Sequence, residues 1–153
     1  MQMIYAALLV AVSAGNDKAL HLYELNPKTG VLVQRAKIAL PGSPGAQCVS
    51  PDGNRLYVAV RTANSVAAFR INHKTKTLEP LGLTDLGANA AYVATDRTGR
   101  TLLWASYSGG VVGSHAIAKN GAVKKGPLSR IETTRCAHAI LTDASNKFAF
   151  VPH

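Results

Sequence analysis

Cysteine is scarce in this chain of 153 residues: Cys48 and Cys136 are the only two. No CxxC occurs, and no pair among the five histidines has ligand spacing such as HxxxH. A disulfide framework and a zinc-type site are thereby excluded, and two buried small hydrophobes in a reducing, cytoplasmic compartment are expected. No metal and no cofactor are expected. Aromatic residues are also few, at 6%, and they do not interleave with the basic ones. That argues against a stacking platform for nucleic acid. Acidic residues number 8 against 17 Lys plus Arg, for a formal charge of +9. Such a balance suits a small anionic metabolite bearing phosphate or carboxylate.

Long apolar runs are missing as well. Met1 to Ala14 has the flavour of a signal-peptide core but lacks a basic leader and is too short to cross a membrane. It reads as a strand, and no membrane partner is expected. Catalytic signatures are equally thin. There is no Gly-x-Ser-x-Gly elbow, and Ser106-Tyr107-Ser108-Gly109-Gly110 reads as a hairpin loop because no Gly-Lys-Ser/Thr follows its diglycine. No close carboxylate pair suggests glycosidase chemistry.

What is present is a repeat. Leu20 to Leu32 (LHLYELNPKTGVL) superposes without gaps on Val66 to Leu78 (VAAFRINHKTKTL), and Val112 to Ile117 begins a third copy 46 residues further on, followed by Asn120 to Val123. The preceding strand also recurs, as Val10 to Ser13, Leu56 to Ala59, Leu102 to Ala105 and Phe148 to Val151. Ahead of these come Gln47 to Ser50, Val93 to Asp96 and Ile140 to Asp143. Each unit is an inner strand, a tight turn, a second strand, a loop, a third strand, an Asn-x-Lys-Thr-type turn and a weaker outer strand. In Ser50-Pro51-Asp52-Gly53, Pro fixes φ, Asp bonds its own backbone and Gly accepts φ > 0. Leu56 to Val60 is apolar on both faces, as a sheet covered on both sides requires.

The fold is therefore expected to be all-β, a β-propeller of about three four-stranded blades. Helical solenoids fail because the segments are short and broken by Gly and Pro, and an immunoglobulin-like sandwich would not predict an in-register repeat. Residues 1–153 form one partial propeller domain, with units near 1–45, 46–91 and 92–137 and the start of another at 138–153. Uncovered blade edges predict self-association.

Leu20 to Gly30 (LHLYELNPKTG), Cys48 to Val60 (CVSPDGNRLYVAV), Ser65 to Ile71 (SVAAFRI) and Ala137 to His153 (AHAILTDASNKFAFVPH) carry a family resemblance. Over essentially its whole length the chain resembles the lactonase family of seven-bladed propellers. That family includes propeller-type 6-phosphogluconolactonases and carboxymuconate lactonizing enzymes, which are about twice this length. The resemblance implies an N-terminal part of a ring that hydrolyses a small acidic sugar lactone, such as 6-phosphogluconolactone, and is inactive alone. The alternatives are a cyclising isomerase or a non-enzymatic binding scaffold.

Repeat register singles out His138, which aligns with Ala91 and Gly45 at the head of the inner strand. A histidine there can act as general acid or base, the role the resemblance implies, or cap a strand. Arg135, three residues upstream, can grip an anionic group with its guanidinium or simply be solvated. His115 aligns with Tyr23 and Phe69 and is expected to pack within a blade, whereas His21 and His73 are expected at the surface. Lys119, Lys124 and Lys125 read as a solvated face.

Overall fold

Short apolar runs separated by turn residues pair with their sequence neighbours, and antiparallel hairpins result throughout. The structure, a computed structural model, describes residues 8–153. Strands β1 (Leu8–Ala14), β2 (Ala19–Leu25) and β3 (Leu32–Ala39) form a three-stranded sheet. Four-stranded sheets follow from β4 (Pro44–Val49), β5 (Arg55–Val60), β6 (Ser65–Asn72) and β7 (Thr77–Asp85), and from β8 (Tyr92–Thr95), β9 (Thr101–Ser106), β10 (Val111–Ala116) and β11 (Ser129–Glu132). β12 (Leu141–Thr142) and β13 (Ala149–Phe150) pair in a last, two-stranded sheet. The expected opening strand is β1 in part, and Met1 to Ala7 lie outside the described residues.

Period-two alternation on the second strand of each blade builds the core. Leu56, Val58 and Val60 of β5 pack with Leu20, Ala67 and Phe69 toward the first sheet. Tyr57 and Ala59, on the opposite face, pack with Leu102 and Trp104 of β9. Leu103 and Ala105 then face Ala137 and Ile140 of the next unit. Tyr57 and Trp104 are fully buried, each contributing about 1.5–3 kcal/mol by removal of apolar surface from water. β4 touches β1 on one side and β8 on the other, so the first strands of successive sheets adjoin.

One expected strand is displaced. The sequence suggested an outer strand starting near Val123, but the outer strand of the third blade is β11, at Ser129–Glu132. Residues 117 to 123 instead tuck back over the second blade. The Tyr57 hydroxyl donates to the Gly121 carbonyl at 3.1 Å, the Thr84 hydroxyl donates to the Val123 carbonyl at 2.8 Å, and Val123 is buried in the interblade core. Burial of Val123 accompanies the break in the hairpin, which keeps an isolated bridge, Ile117–Val123. Lys119, Lys124 and Lys125 are exposed, as expected.

At the end of the blades where β8 leads into β9, successive turns are bonded to one another. The Asp96 carboxylate accepts from the Thr98 hydroxyl at 2.6 Å, the Arg100 and Thr101 amides at 2.8 and 2.9 Å, and the Asn146 side chain at 2.9 Å. Arg97 answers with Nε to the Asp143 carbonyl at 2.6 Å. Burial opposes ionisation of Asp96, yet these hydrogen bonds outweigh it and hold its carboxyl at about 2. Asp143, capped first by the Ser145 hydroxyl and then by the Phe148 amide, is also held at about 2.

Both carboxyls lie below the ordinary value of 3.8, so their stabilisation is present above that pH and is lost as pH falls through about 2. Asp96→Ala is expected to lower stability at neutral pH by about 1–3 kcal/mol in denaturant melts and to flatten the acid dependence between about pH 4 and 2. An unaltered pH profile would refute the role given to Asp96. Gly113 on β10 lies flat against the Trp104 indole, where a methyl group would overlap the ring. Gly113→Ala is accordingly expected to destabilise by about 1–3 kcal/mol, read as a lower thermal midpoint.

Candidate functional site at the channel mouth

At the opposite end of the blades, where β4 and β8 begin and β5 and β9 finish, the connections 40–43, 61–64, 86–91, 107–110 and 133–140 converge. Residues at equivalent repeat positions meet there: Gly15, Arg61 and Tyr107 follow the second strands, and Gly45, Ala91 and His138 head the inner ones.

His138 is exposed, in the extended segment leading to β12, and its amide donates to the Pro152 carbonyl at 3.0 Å. Its imidazole meets the Tyr107 ring edge-on, with centroids 5.5 Å apart and planes at 88°. An edge-to-face pair of this kind orients an imidazole without engaging its nitrogens. The loop that carries Tyr107 is shaped by its diglycine. A Cβ on Gly109 would lie 2.7 Å from the Ser106 hydroxyl oxygen, and Gly110 adopts φ 57 within reach of the Thr133 carbonyl. Thr133 donates back to the Gly110 carbonyl at 2.7 Å, which ties loop 107–110 to the segment bearing Arg135 and His138.

Arg135 is exposed in a turn, and its carbonyl lies 3.2 Å from His153 Nδ1. Cys136, beside it, is half-buried with φ 77 and does not enter a core; its thiol contacts Tyr107 and pushes that hydroxyl's pKa up. The expectation of a buried small hydrophobe holds better for Cys48, which packs against the core and whose thiol burial drives up to about 12. Cys136 differs because the left-handed turn preceding the inner strand holds it at the loop surface.

Arg61 was not singled out by sequence reasoning. It begins a one-turn 3-10 helix, Arg61–Ala63, and its Nε donates to Asn89 Oδ1 at 3.0 Å. Asn89 is held in turn by the buried Ser106 hydroxyl, which donates to its carbonyl at 2.9 Å. Neither Arg61 nor Arg135 forms an ion pair among the described residues. The signal for Arg61 was present in the repeat, since it stands 46 residues before Tyr107.

The remaining histidines lie apart from the mouth. His115 is buried and accepts from Trp104 Nε1 through Nδ1 at 3.1 Å; burial lowers its pKa, and it is a packing residue. His73 is exposed against the Gly53 carbonyl. His21 is only half-buried, because β2 is the middle strand of its sheet, and it pairs with Asp17 at 2.9 Å.

Sheets packed face to face, with adjoining inner strands and loops converging where those strands begin, define a β-propeller whose mouth presents histidine, tyrosine and two arginines that form no ion pair among the described residues. The chain belongs to the lactonase family of seven-bladed β-propellers, whose model, described as "Lactonase, 7-bladed beta-propeller", matches residues 6–153. It is 30% identical over 144 residues to a 6-phosphogluconolactonase of Xenorhabdus nematophila and 29% identical to one of Serratia proteamaculans. Each match covers 94% of this chain and 43% of the relative, so the chain spans less than half the length of these relatives. Among solved structures, a Bacteroides fragilis protein superposes with a TM-score of 0.83 at 22% identity, covering 99% of this chain and 46% of its own. The periplasmic gluconolactonase of Pseudomonas aeruginosa superposes with a TM-score of 0.70 at 20% identity, covering 76% and 34%. These two structures share the fold.

The Tyr107–His138 pair has a direct spectroscopic check. Tyr107→Ala is expected to abolish the ring-current displacement of the His138 imidazole protons in NMR spectra. Identical His138 shifts in parent and variant would show that the rings do not meet.

Proposed function

We propose that the complete protein opens the ring of a small acidic sugar lactone of the 6-phosphogluconolactone type, and that this chain supplies one part of the site and is inactive alone. The observation that carries the reading is His138: it heads an inner strand where the equivalent residues are Gly45 and Ala91, it is solvent-accessible, and Tyr107 orients it. The relatives' name, 6-phosphogluconolactonase, supports hydrolysis over cyclisation.

In the reaction, neutral His138 takes a proton from water as the water oxygen bonds to the lactone carbonyl carbon. The imidazolium then returns that proton to the ring oxygen as the acyl C–O bond breaks, leaving a hydroxy acid. Arg135 holds the substrate's anionic group bidentately through its planar guanidinium. A cytoplasmic location belongs to the same reading and agrees with the two free cysteines. For this chain by itself, self-association is expected through exposed apolar side chains of its first and last sheets, Leu8 and Val12 at one side and Phe148 and Phe150 at the other. Among the described residues, no helix is long and apolar enough to cross a membrane.

The test is hydrolysis of 6-phosphogluconolactone by the complete protein. His138→Ala is expected to lower kcat about 10²–10⁴-fold with the fold intact by circular dichroism. Full activity in the variant would remove His138 from the chemistry, and an inactive parent would dismiss the lactonase reading.

A further inference from the structure

The two exposed arginines of the mouth differ in how firmly they are held. Arg135 sits on a turn with no side-chain partner among the described residues, whereas Arg61 is seated. Its stem lies over Gly45, where a Cβ would come 2.6 Å from Arg61 Cδ and 3.0 Å from Cγ. Its Nε is bonded to Asn89, and Asn89 is anchored through its carbonyl to the buried Ser106. Gly45 is fixed too, since the Ser13 hydroxyl donates to its carbonyl at 2.7 Å. Three blades thus contribute to one side chain: Ser13 from the first, Gly45 and Arg61 from the second, and Ser106 from the third through Asn89 of the connection that enters it. With Nε engaged by a neutral amide, both terminal nitrogens keep their donors, and no carboxylate among the described residues neutralises the charge. A guanidinium pre-oriented in this way loses little freedom on closing over an oxyanion.

We propose that Arg61 is an anion-recognising residue of the mouth, gripping a phosphate or carboxylate through its terminal nitrogens, and that Gly45 is small because that grip requires the stem of Arg61 to lie across it. This deepens the lactonase reading: the anionic group that Arg135 holds is gripped from the second blade by Arg61 as well. The absence of a side chain at position 45 and its presence at position 138 then have one explanation. In the second blade the loop residue reaches across the head of its own inner strand, and in the third blade the corresponding residue, Tyr107, meets the inner-strand head of the following unit.

The experiment is titration of the full chain with inorganic phosphate, 6-phosphogluconate and gluconate, followed by calorimetry and by the arginine Nε–H resonances. In the parent, the phosphate-bearing probes are expected to shift the Arg61 signal, and gluconate reports whether a carboxylate suffices. Arg61→Ala is expected to weaken binding about tenfold or more, as loss of a charged hydrogen-bond donor does. Gly45→Ala keeps every charge and places a methyl group where the Arg61 stem lies, and it is expected to weaken binding in the same direction. Arg61→Lys, which retains charge without the planar fork, is expected to fall between parent and Arg61→Ala. Parent-like affinity in both Arg61→Ala and Gly45→Ala, or no binding of any probe by the parent, would overturn the proposal. Arg61-dependent phosphate binding in a protein whose complete form opens no lactone would uphold the anion site and dismiss the lactonase reading; lactone opening with indifferent Arg61 and Gly45 variants would do the reverse.

Discussion

Sheet packs on sheet through side chains that alternate along the second strand of each blade, with Leu56, Val58 and Val60 facing one neighbour and Tyr57 and Ala59 the other. A strand apolar on both faces can be stable only between two other sheets, because leaving either face in water forfeits the burial that offsets ordering the backbone. β9 repeats the arrangement with Leu102 and Trp104 against Leu103 and Ala105. Within the third sheet, Gly113 of β10 lies opposite Trp104 of β9 and admits its indole at close range, and Trp104 is held by its bond to the buried His115.

The contacts that join blades at the mouth follow from that stacking. Tyr107 belongs to the third blade and His138 to the unit after it, while Arg61 belongs to the second blade and Asn89 to the connection entering the third. Neither contact exists within a single blade. A rotation of one sheet against the next would separate both pairs, so packing far from the chemistry sets the positions of the groups that would perform it.

The two ends of the blades use polar groups differently. At one end Asp96 and Asp143 accept hydrogen bonds from backbone amides and hydroxyls until their capacity is filled, which locks successive turns together. At the other end Arg61 and Arg135 retain donors that nothing in the described chain uses. Saturated acceptors stabilise, and unsaturated cations recognise.

The 46-residue repeat, the turn chemistry of Ser50 to Gly53 and the two-sided apolar strands were legible in the amino-acid order alone, because each is local: period, φ preference and hydrophobicity act within a few residues. The same register made His138 visible as a histidine among small residues. What lay between blades was not legible. The tuck of residues 117 to 123 depends on hydrogen bonds to Tyr57 and Thr84, residues about 40 to 65 positions away, and it moved the outer strand to Ser129–Glu132. The bond from Arg61 to Asn89, and the meeting of Tyr107 with His138, likewise join residues whose proximity only the stacked sheets create. The sequence by itself determined the blade and its repetition. The tertiary structure decided which side chains share the mouth, because that depends on the angle at which one buried sheet lies on the next.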